Sequence, residues 1–306
     1  MAHKIVIAGG TGFLGRSLVD FFKQQGNIEL VILTRRPGST DGNISYVQWD
    51  ATTLAKWTNV LEGSTAVINL VGKSVNCRYT KRNKREIIDS RVKATLAIGT
   101  AIQQAVKPPA VWINAGSAAI FGDGRDEIKT ELSATGDGFS AEVCKKWEQA
   151  FNSIATPLTR KVFLRIGLVF QKNSGLLVPF VNLAKAGMGG KIGTGKQYIS
   201  WIHEADFVQV VHETIINENL SGMIHCSSPE PVTNTNFMHA LRSSLKIGFG
   251  LPNPSMLVKI GAIFIGTEAP LVLTGRRVVP AKLEEHNFVF RYPAIDEALS
   301  NLLDKK

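Results

Sequence analysis

A glycine-rich segment near the start of the chain constrains the fold more than any other feature. It reads GGTGFLG over residues 9–15, follows the apolar run 5–8 and precedes an amphipathic pattern over residues 17–25. In this register the first glycine permits a tight turn, the third lets the backbone approach a pyrophosphate, and the last allows close helix packing. A plain tight turn would not need these glycines in this register. The segment therefore predicts a nucleotide site at a helix N-terminus.

Strand and helix patterns continue to alternate beyond this segment. A second apolar run at residues 30–33 completes a β-α-β unit of about 30 residues. Further strands are predicted at residues 66–71, 111–114 and 161–164, and further helices at residues 81–105 and 140–153. This order predicts an α/β fold of the Rossmann type, a doubly wound parallel sheet.

The pattern loosens after residue 167. Glycines cluster at residues 187–195, which predicts a mobile or tightly turning loop. Helices are then predicted at residues 206–216, 235–246 and 255–266. We expect a Rossmann domain over residues 1–228 and a smaller C-terminal lobe over residues 229–306 that closes the cleft.

Composition excludes several other classes of protein. The chain has 306 residues, 44% of them hydrophobic and 20% charged, which fits a globular protein rather than a disordered one. Its three cysteines form no CxxC pair, which argues against a zinc or disulfide framework and for a reducing compartment. We see no signal-type leader and no apolar run near the ~18 residues of a bilayer span. These observations predict a cytoplasmic protein with no membrane partner.

The net charge of +10 favours anionic ligands without choosing among them. The densest basic cluster, residues 81–85, fits either the solvated face of a helix or a polyanion site. The first alternative is favoured. Nucleic acid is disfavoured because no series of aromatic side chains accompanies the cluster beyond Tyr79.

The residues after the second strand indicate which dinucleotide binds. An NAD site expects an acidic residue about 20 residues beyond the glycines, but here the strand ends in Thr34, Arg35 and Arg36. Arg35 could pair with a 2′-phosphate, which favours NADP. The alternative is that both arginines are surface charges on a loop.

Several further motifs lie along the whole chain. They are NLVG at 69–72, RYT at 78–80, DSR at 89–91, SWIH at 200–203, PEPV at 229–232 and RVVP at 277–280. With the glycine segment, they resemble the extended short-chain dehydrogenase/reductase superfamily, and within it the atypical YfcH-type "epimerase family" proteins with their own C-terminal domain. The loop at residues 187–203 resembles the superfamily's substrate and cofactor loop.

The resemblance implies that NADP(H) is the cofactor and assigns residues to it. Residues 11–14 would line the pyrophosphate, and the strand end at residues 34–35 the adenosine phosphate. The full cofactor-binding set, with the first glycine of the turn, is Gly9, Thr11, Gly12, Phe13, Leu14, Thr34, Arg35, Leu70, Val71, Glu86, Arg91 and Val169. The alternative for Glu86 and Arg91 is an exposed pair on a helix.

The expected catalytic residues are only partly present. Ser117 matches the serine that binds a substrate hydroxyl or carbonyl in the superfamily, although it could instead satisfy local backbone groups. The usual Tyr-x-x-x-Lys is missing, because Ala141 stands four residues before Lys145. Glu142 and Lys146 fit an i,i+4 salt bridge better than a replacement acid and base. Other proton carriers remain open: Asp123, Glu142, Cys144, Tyr198 and His203.

Two functions follow as hypotheses. The first is an NADP-dependent oxidoreductase or epimerase that acts on a small substrate, anionic or hydroxylated or with a carbonyl, held by Ser117. The second is a catalytically inactive NADP(H)-binding regulatory or redox-sensing protein. A homodimer through two helices that flank the sheet would be common for this superfamily.

Overall fold

A computed structural model describes residues 3–304. Its strands are β1 (His3–Ala8), β2 (Ile28–Thr34), β3 (Ser39–Asp41), β4 (Ile44–Gln48), β5 (Ala66–Asn69), β6 (Val111–Ser117), β7 (Ile128–Lys129), β8 (Arg160–Ile166), β9 (Leu168–Gln171), β10 (Ser174–Gly175), β11 (Tyr198–Ile199), β12 (Trp201–His203), β13 (Gly222–Cys226), β14 (Val232–Thr233) and β15 (Arg277–Val278). Its α-helices are α1 (Phe13–Lys23), α2 (Lys81–Gln104), α3 (Phe139–Asn152), α4 (Leu177–Leu183), α5 (Glu204–Ile216), α6 (Asn234–Ser244), α7 (Ser255–Ile265), α8 (Pro270–Leu273), α9 (Ala281–Glu285) and α10 (Ile295–Leu303).

The main sheet has eight strands in the order β13-β8-β6-β5-β1-β2-β4-β3. All neighbours pair in parallel except β3, which pairs antiparallel with β4 at one edge. The order reverses at β1, which lies between β2 and β5. This is the strand order of a Rossmann-type doubly wound sheet, so the predicted fold class is confirmed.

The boundaries differ from the predicted ones where glycine or local side chains redirect the chain. Helix α1 begins at Phe13, four residues earlier than predicted, because the extended Gly12 is its N-cap and the glycine turn leads straight into it. Strand β5 ends at Asn69, whose side-chain oxygen accepts the amide of Val71 and turns the chain. The predicted 187–203 loop is only partly a loop, since β11 and β12 lie within it.

Two clusters of buried apolar side chains form the interior. The larger one lies between the main sheet and its helices and includes Ile7, Ile32 and Ile113. The smaller one joins residues on both sides of position 228, such as Phe170, Trp201 and Phe237. The division of the chain at residue 228 stays a prediction.

A buried carboxylate of α5 attaches C-terminal residues to the rest of the chain. Asp206 accepts hydrogen bonds from the amides of Arg291 (2.7 Å) and Tyr292 (2.9 Å). Burial nevertheless raises the pKa of Asp206, because desolvation outweighs these bonds. Within residues 3–304 no helix is both long and apolar enough to cross a membrane.

Candidate functional site

The glycine turn joins β1 to α1 in a conformation that only glycine adopts easily. Gly9 has a φ of +84°, and its carbonyl accepts the amide of Gly12 at 2.9 Å. A Cβ on Gly15 would lie 2.4 Å from the carbonyl oxygen of Gly9, so α1 packs directly on the turn. Thr11, Gly12 and Phe13 are exposed. The turn therefore presents its backbone and the start of a helix to solvent, which is the geometry of an anion site.

The end of β2 carries two arginines at the edge of the sheet where the glycine turn also lies. Thr34 is buried, and its hydroxyl accepts the amide of Arg36 at 3.3 Å. Arg35 and Arg36 are exposed, and neither forms a salt bridge within residues 3–304. Because the carboxyl ends of parallel strands meet at one edge, these cations lie on the same side of the sheet as the turn.

The segment after β5 lies directly beside the turn. A Cβ on Gly9 would come within 3.2 Å of the Leu70 carbonyl carbon. Leu70 and Val71 are partly buried, and the Asn69 side chain holds the amide of Val71 at 3.1 Å. The structure thus brings Leu70 and Val71 together with the glycine turn.

Arg91 and Glu86, on α2, both contact Lys73, which follows Val71 by two residues. Arg91 donates to the carbonyl of Lys73 at 3.0 Å and stacks over Trp147, with its guanidinium carbon 5.1 Å from the ring centre. Glu86 forms ion pairs with Lys73 and with Arg82. These two cations lower the pKa of Glu86 to about 2. Arg91 thus contacts the backbone of Lys73 and Glu86 its side chain, and no ion pair joins Glu86 to Arg91 within residues 3–304.

The hairpin of β9 and β10 covers the start of α1. Gln171 donates to the hydroxyl of Ser17 at 2.5 Å, and the ring of Phe13 lies against Gly175. Val169 is buried in β9 and pairs with Ile202 of β12. Val169 is therefore held beside β12 by backbone pairing, and its side chain lies in the larger core, on which Leu14 also packs.

Ser117 ends β6 and faces a small cavity. Its hydroxyl accepts the amide of Ala119 at 3.2 Å, so the local backbone role considered for it is real. The cavity has a volume of about 70 Å³. Its polar and charged lining residues are Ser117, Gln197, Tyr198, Ser200, Asn234, Thr274 and Arg276.

Arg276 is the charged residue of this cavity, and the sequence analysis missed it. Its Nε is buried and has no hydrogen-bond partner, and its Nη2 reaches only Thr274 Oγ1, at 3.5 Å. Burial lowers the pKa of Arg276. Its carbonyl accepts the hydroxyl of Ser200 at 2.7 Å, and its amide donates to the Tyr198 carbonyl at 3.2 Å, which fixes the backbone. The two adjacent arginines, Arg276 and Arg277, within a largely apolar segment were the sequence signal that could have identified it.

Helix α3 carries the position at which the sequence analysis expected the superfamily's tyrosine. Ala141 is fully buried, and Glu142 is exposed and bonded to Lys146 at 2.7 Å. The interpretation of these two residues as an i,i+4 salt bridge is confirmed. Cys144 is buried, and desolvation raises the pKa of its thiol to about 12.

The structure places the remaining candidate proton carriers in different surroundings. His203 caps α5 by accepting the amide of Ala205 at 3.0 Å, and its other ring nitrogen contacts Asn301 at 3.2 Å. Asp123 accepts the amide of Gly275 at 3.2 Å. Tyr198 lines the cavity beside Ser117, and the Arg277 guanidinium carbon lies 5.2 Å from its ring centre.

These features define the class of protein: a Rossmann fold with a glycine turn and a cleft at the carboxyl ends of its strands. The NAD dependent epimerase/dehydratase family matches residues 5–222. The chain belongs to that family, in agreement with the resemblance of its motifs to the extended superfamily and its epimerase family proteins. Residues 254–302 match a domain of unknown function, DUF1731.

Similar proteins extend over the whole chain. The epimerase family protein YfhF of Bacillus subtilis is 32% identical over 99% of this chain and 99% of its own length. A relative from Arabidopsis thaliana, the chloroplastic SDR39U1 homolog, is 30% identical over 98% of this chain and 86% of its own length. The compartment of the present protein stays a prediction.

Solved structures resemble the fold closely. The human epimerase family protein SDR39U1, crystallised with NADPH, has a TM-score of 0.88 at 26% identity. The match covers 99% of this chain and 100% of the human one. UDP-N-acetylglucosamine 4-epimerase from Bacillus cereus has a TM-score of 0.76 at 18% identity, with 98% of each chain covered. The second comparison is a likeness of fold alone.

Proposed function

We propose that this protein is an NADP(H)-dependent oxidoreductase or epimerase that acts on a small hydroxylated or carbonyl substrate with an anionic group. The observation that carries the proposal is Arg276. The Nε of this partly buried guanidinium is buried without a hydrogen-bond partner, which is costly, so its position in the cavity wall favours an anionic ligand there. A carboxylate or phosphate oxygen could accept from it.

The cofactor would lie along the carboxyl edge of the sheet. The backbone of Thr11, Gly12, Phe13 and Leu14 would hold the pyrophosphate, and Arg35 the 2′-phosphate. The crystallisation of the human relative with NADPH supports this assignment. When bound, the cofactor supplies or accepts the hydride at the substrate's carbinol carbon.

Residues of this chain would orient the substrate and move the proton. Ser117 would donate its hydroxyl to the substrate oxygen, and Arg276 would hold the anionic end. We assign proton exchange to Tyr198, because among the candidates from the sequence it lines this cavity, whereas Glu142 and His203 are engaged elsewhere.

The second candidate function is cofactor binding without catalysis. The buried Ala141 in place of the usual tyrosine favours a catalytically inactive protein that binds NADP(H) for regulation or redox sensing. Hydride exchange between bound NADPH and any carbonyl compound would exclude it.

Titration calorimetry with NADPH, NADP and NADH tests the cofactor. We expect the phosphorylated forms to bind more tightly, and Arg35→Ala to lose roughly 10- to 100-fold in affinity for them with little change for NADH. Lys107→Ala is the matched control, because Lys107 is exposed and precedes β6 at the opposite edge of the sheet. Equal binding of all three nucleotides would contradict the role of Arg35.

Oxidation of NADPH by a panel of oxo acids and phosphorylated carbonyl compounds tests the reaction. Arg276→Gln should raise KM roughly 10- to 100-fold for an anionic substrate and leave NADPH affinity unchanged. Tyr198→Phe should lower kcat with unchanged KM. If both substitutions leave turnover unchanged, this cavity is not the substrate site. The cytoplasmic location, the homodimer and the lack of a nucleic-acid partner stay predictions.

A further inference from the structure

The outer side of α7 is an apolar face without a protein partner in the described chain. Met256, Leu257, Ile260, Ile263 and Phe264 recur at the spacing of one helix face. They are 74%, 53%, 42%, 60% and 86% exposed, respectively. The inward side is narrow, formed by the buried Ala262 and the partly buried Val258. We call this exposed set, with the 68% exposed Phe249 that precedes it, the α7 face.

Cations without acidic neighbours in sequence accompany this face. Residues 172–203 contain four lysines, and residues 231–267 contain two lysines and one arginine. Neither segment contains an aspartate or a glutamate. In a chain with 25 acidic residues, two such long stretches without a carboxylate concentrate positive charge in the part of the protein that carries α7.

Backbone hydrogen bonds bring the two segments together in space. The amide of Asn253 donates to the Lys191 carbonyl at 2.8 Å, and the amide of Leu251 donates to Gly187, also at 2.8 Å. Four lysines of these segments, Lys185, Lys191, Lys246 and Lys259, are exposed. None of the four forms a salt bridge within residues 3–304.

We propose that the α7 face docks the protein on an anionic lipid surface. An exposed apolar helix face with flanking lysines is the arrangement of helices that lie in the membrane interface, where the lysine stems extend toward lipid headgroups. The prediction of no membrane partner depended on the lack of a bilayer span, which does not bear on such a helix, because it lies on the membrane and does not cross it.

Charge favours a lipid surface over a second copy of the chain. A two-fold pairing of α7 with itself would place like patches, and therefore the same unpaired lysines, opposite each other. An anionic leaflet instead attracts every lysine near its surface. The occupant that complements both the apolar face and its cations is the headgroup region of an anionic membrane.

Co-sedimentation of the full chain with vesicles tests this proposal. We expect binding to phosphatidylcholine vesicles that contain phosphatidylserine, and at least about tenfold weaker binding to phosphatidylcholine alone. Phe264→Ser should weaken binding to the anionic vesicles about tenfold, because a largely exposed phenyl ring would no longer enter the interface. Lys259→Glu should weaken it as well, and more salt should weaken the wild type.

Leu132→Ser is the matched control, because Leu132 is 97% exposed but lies in the segment between β7 and α3. It should bind vesicles as the wild type does. Unchanged thermal midpoints of both serine variants would show that the fold is intact. No binding to anionic vesicles, or binding that Phe264→Ser leaves unchanged, would overturn the proposal. A wild-type dimer that Phe264→Ser dissociates, without vesicle binding, would assign the face to a second copy and overturn it too.

Discussion

The side-chain amide of Asn69 donates a hydrogen bond to the side-chain oxygen of Asn114 at 2.7 Å. The two residues are opposite each other in β5 and β6, and both are fully buried. Thr95 of α2 contacts both, at 3.3 and 3.2 Å, and accepts the indole N–H of Trp147 from α3 at 3.0 Å. Because Asn69 also holds the amide of Val71, this network joins the segment after β5 to β6, the strand that ends in Ser117.

Replacing Asn114 by alanine should destabilise the protein measurably. The change leaves the amide of Asn69 without its main acceptor in a dry interior, which costs about 1–3 kcal/mol. Urea unfolding would give the free energy of unfolding. Asn182→Ala on the exposed surface of α4 is the control and should change it little. An Asn114→Ala protein as stable as the wild type would contradict the importance of this network.

A methyl group at Gly15 should disturb the glycine turn. Its Cβ would lie 2.4 Å from the Gly9 carbonyl oxygen and 2.5 Å from the Gly10 Cα, so α1 would have to move away. We expect about 1–3 kcal/mol of destabilisation and weaker NADPH binding by calorimetry. Gly26→Ala, where no atom lies within 4 Å of the new Cβ, should change neither. Equal effects of the two substitutions would refute the packing argument.

His203 should make stability depend on pH. Burial lowers its pKa from about 6.5 to about 4, and Arg291 adds to the effect although Asn301 opposes it. The unfolded chain therefore binds a proton at a higher pH than the folded one. The stabilisation is complete above about pH 6.5 and is lost as the pH falls toward about 4.

Unfolding in urea across this pH range checks the effect of His203. His203→Asn should flatten the slope of the free energy of unfolding against pH, because asparagine can still cap α5 but does not titrate. The slope is the readout, since the smaller side chain also loses its contact with Tyr292, whose ring centre is 4.0 Å away. An unchanged slope would assign the pH dependence to other groups.

The three thiols should differ in reactivity. Cys77 is half-buried, whereas Cys144 and Cys226 are buried and burial raises the pKa of both thiols. Because the thiolate is the reactive form, an aromatic disulfide reagent should label Cys77 in the folded protein and the other two only in denaturant. Cys77→Ser should abolish the fast phase. Rapid labelling that survives this substitution would contradict the buried positions.

The arrangement of the residues proposed to hold the cofactor was readable because each lies directly after a strand. The glycine turn, the end of β2 at Thr34 and Arg35, and the segment at Leu70 and Val71 each follow a strand directly. Parallel strands place their carboxyl ends at one edge, so a correct strand order sufficed to bring these residues together.

The cavity proposed to hold the substrate was not readable in the same way. Ser117 and Arg276 are separated by about half of the chain, yet they line one cavity. His203 and Tyr198 lie five residues apart in sequence, yet one caps a helix and the other lines the cavity. Spacing along the chain does not determine which side of a short strand or turn faces a cleft.

The sequence by itself determined the Rossmann sheet, its glycine turn and the absence of the usual tyrosine, since local periodicity and short motifs encode these features. Only the tertiary structure decided that Arg276, with a buried Nε that has no partner, lines the same cavity as Ser117. It also decided that α7 keeps its apolar face exposed. Both outcomes depend on which distant segments pack together, because burial and hydrogen-bond satisfaction are properties of the assembled chain.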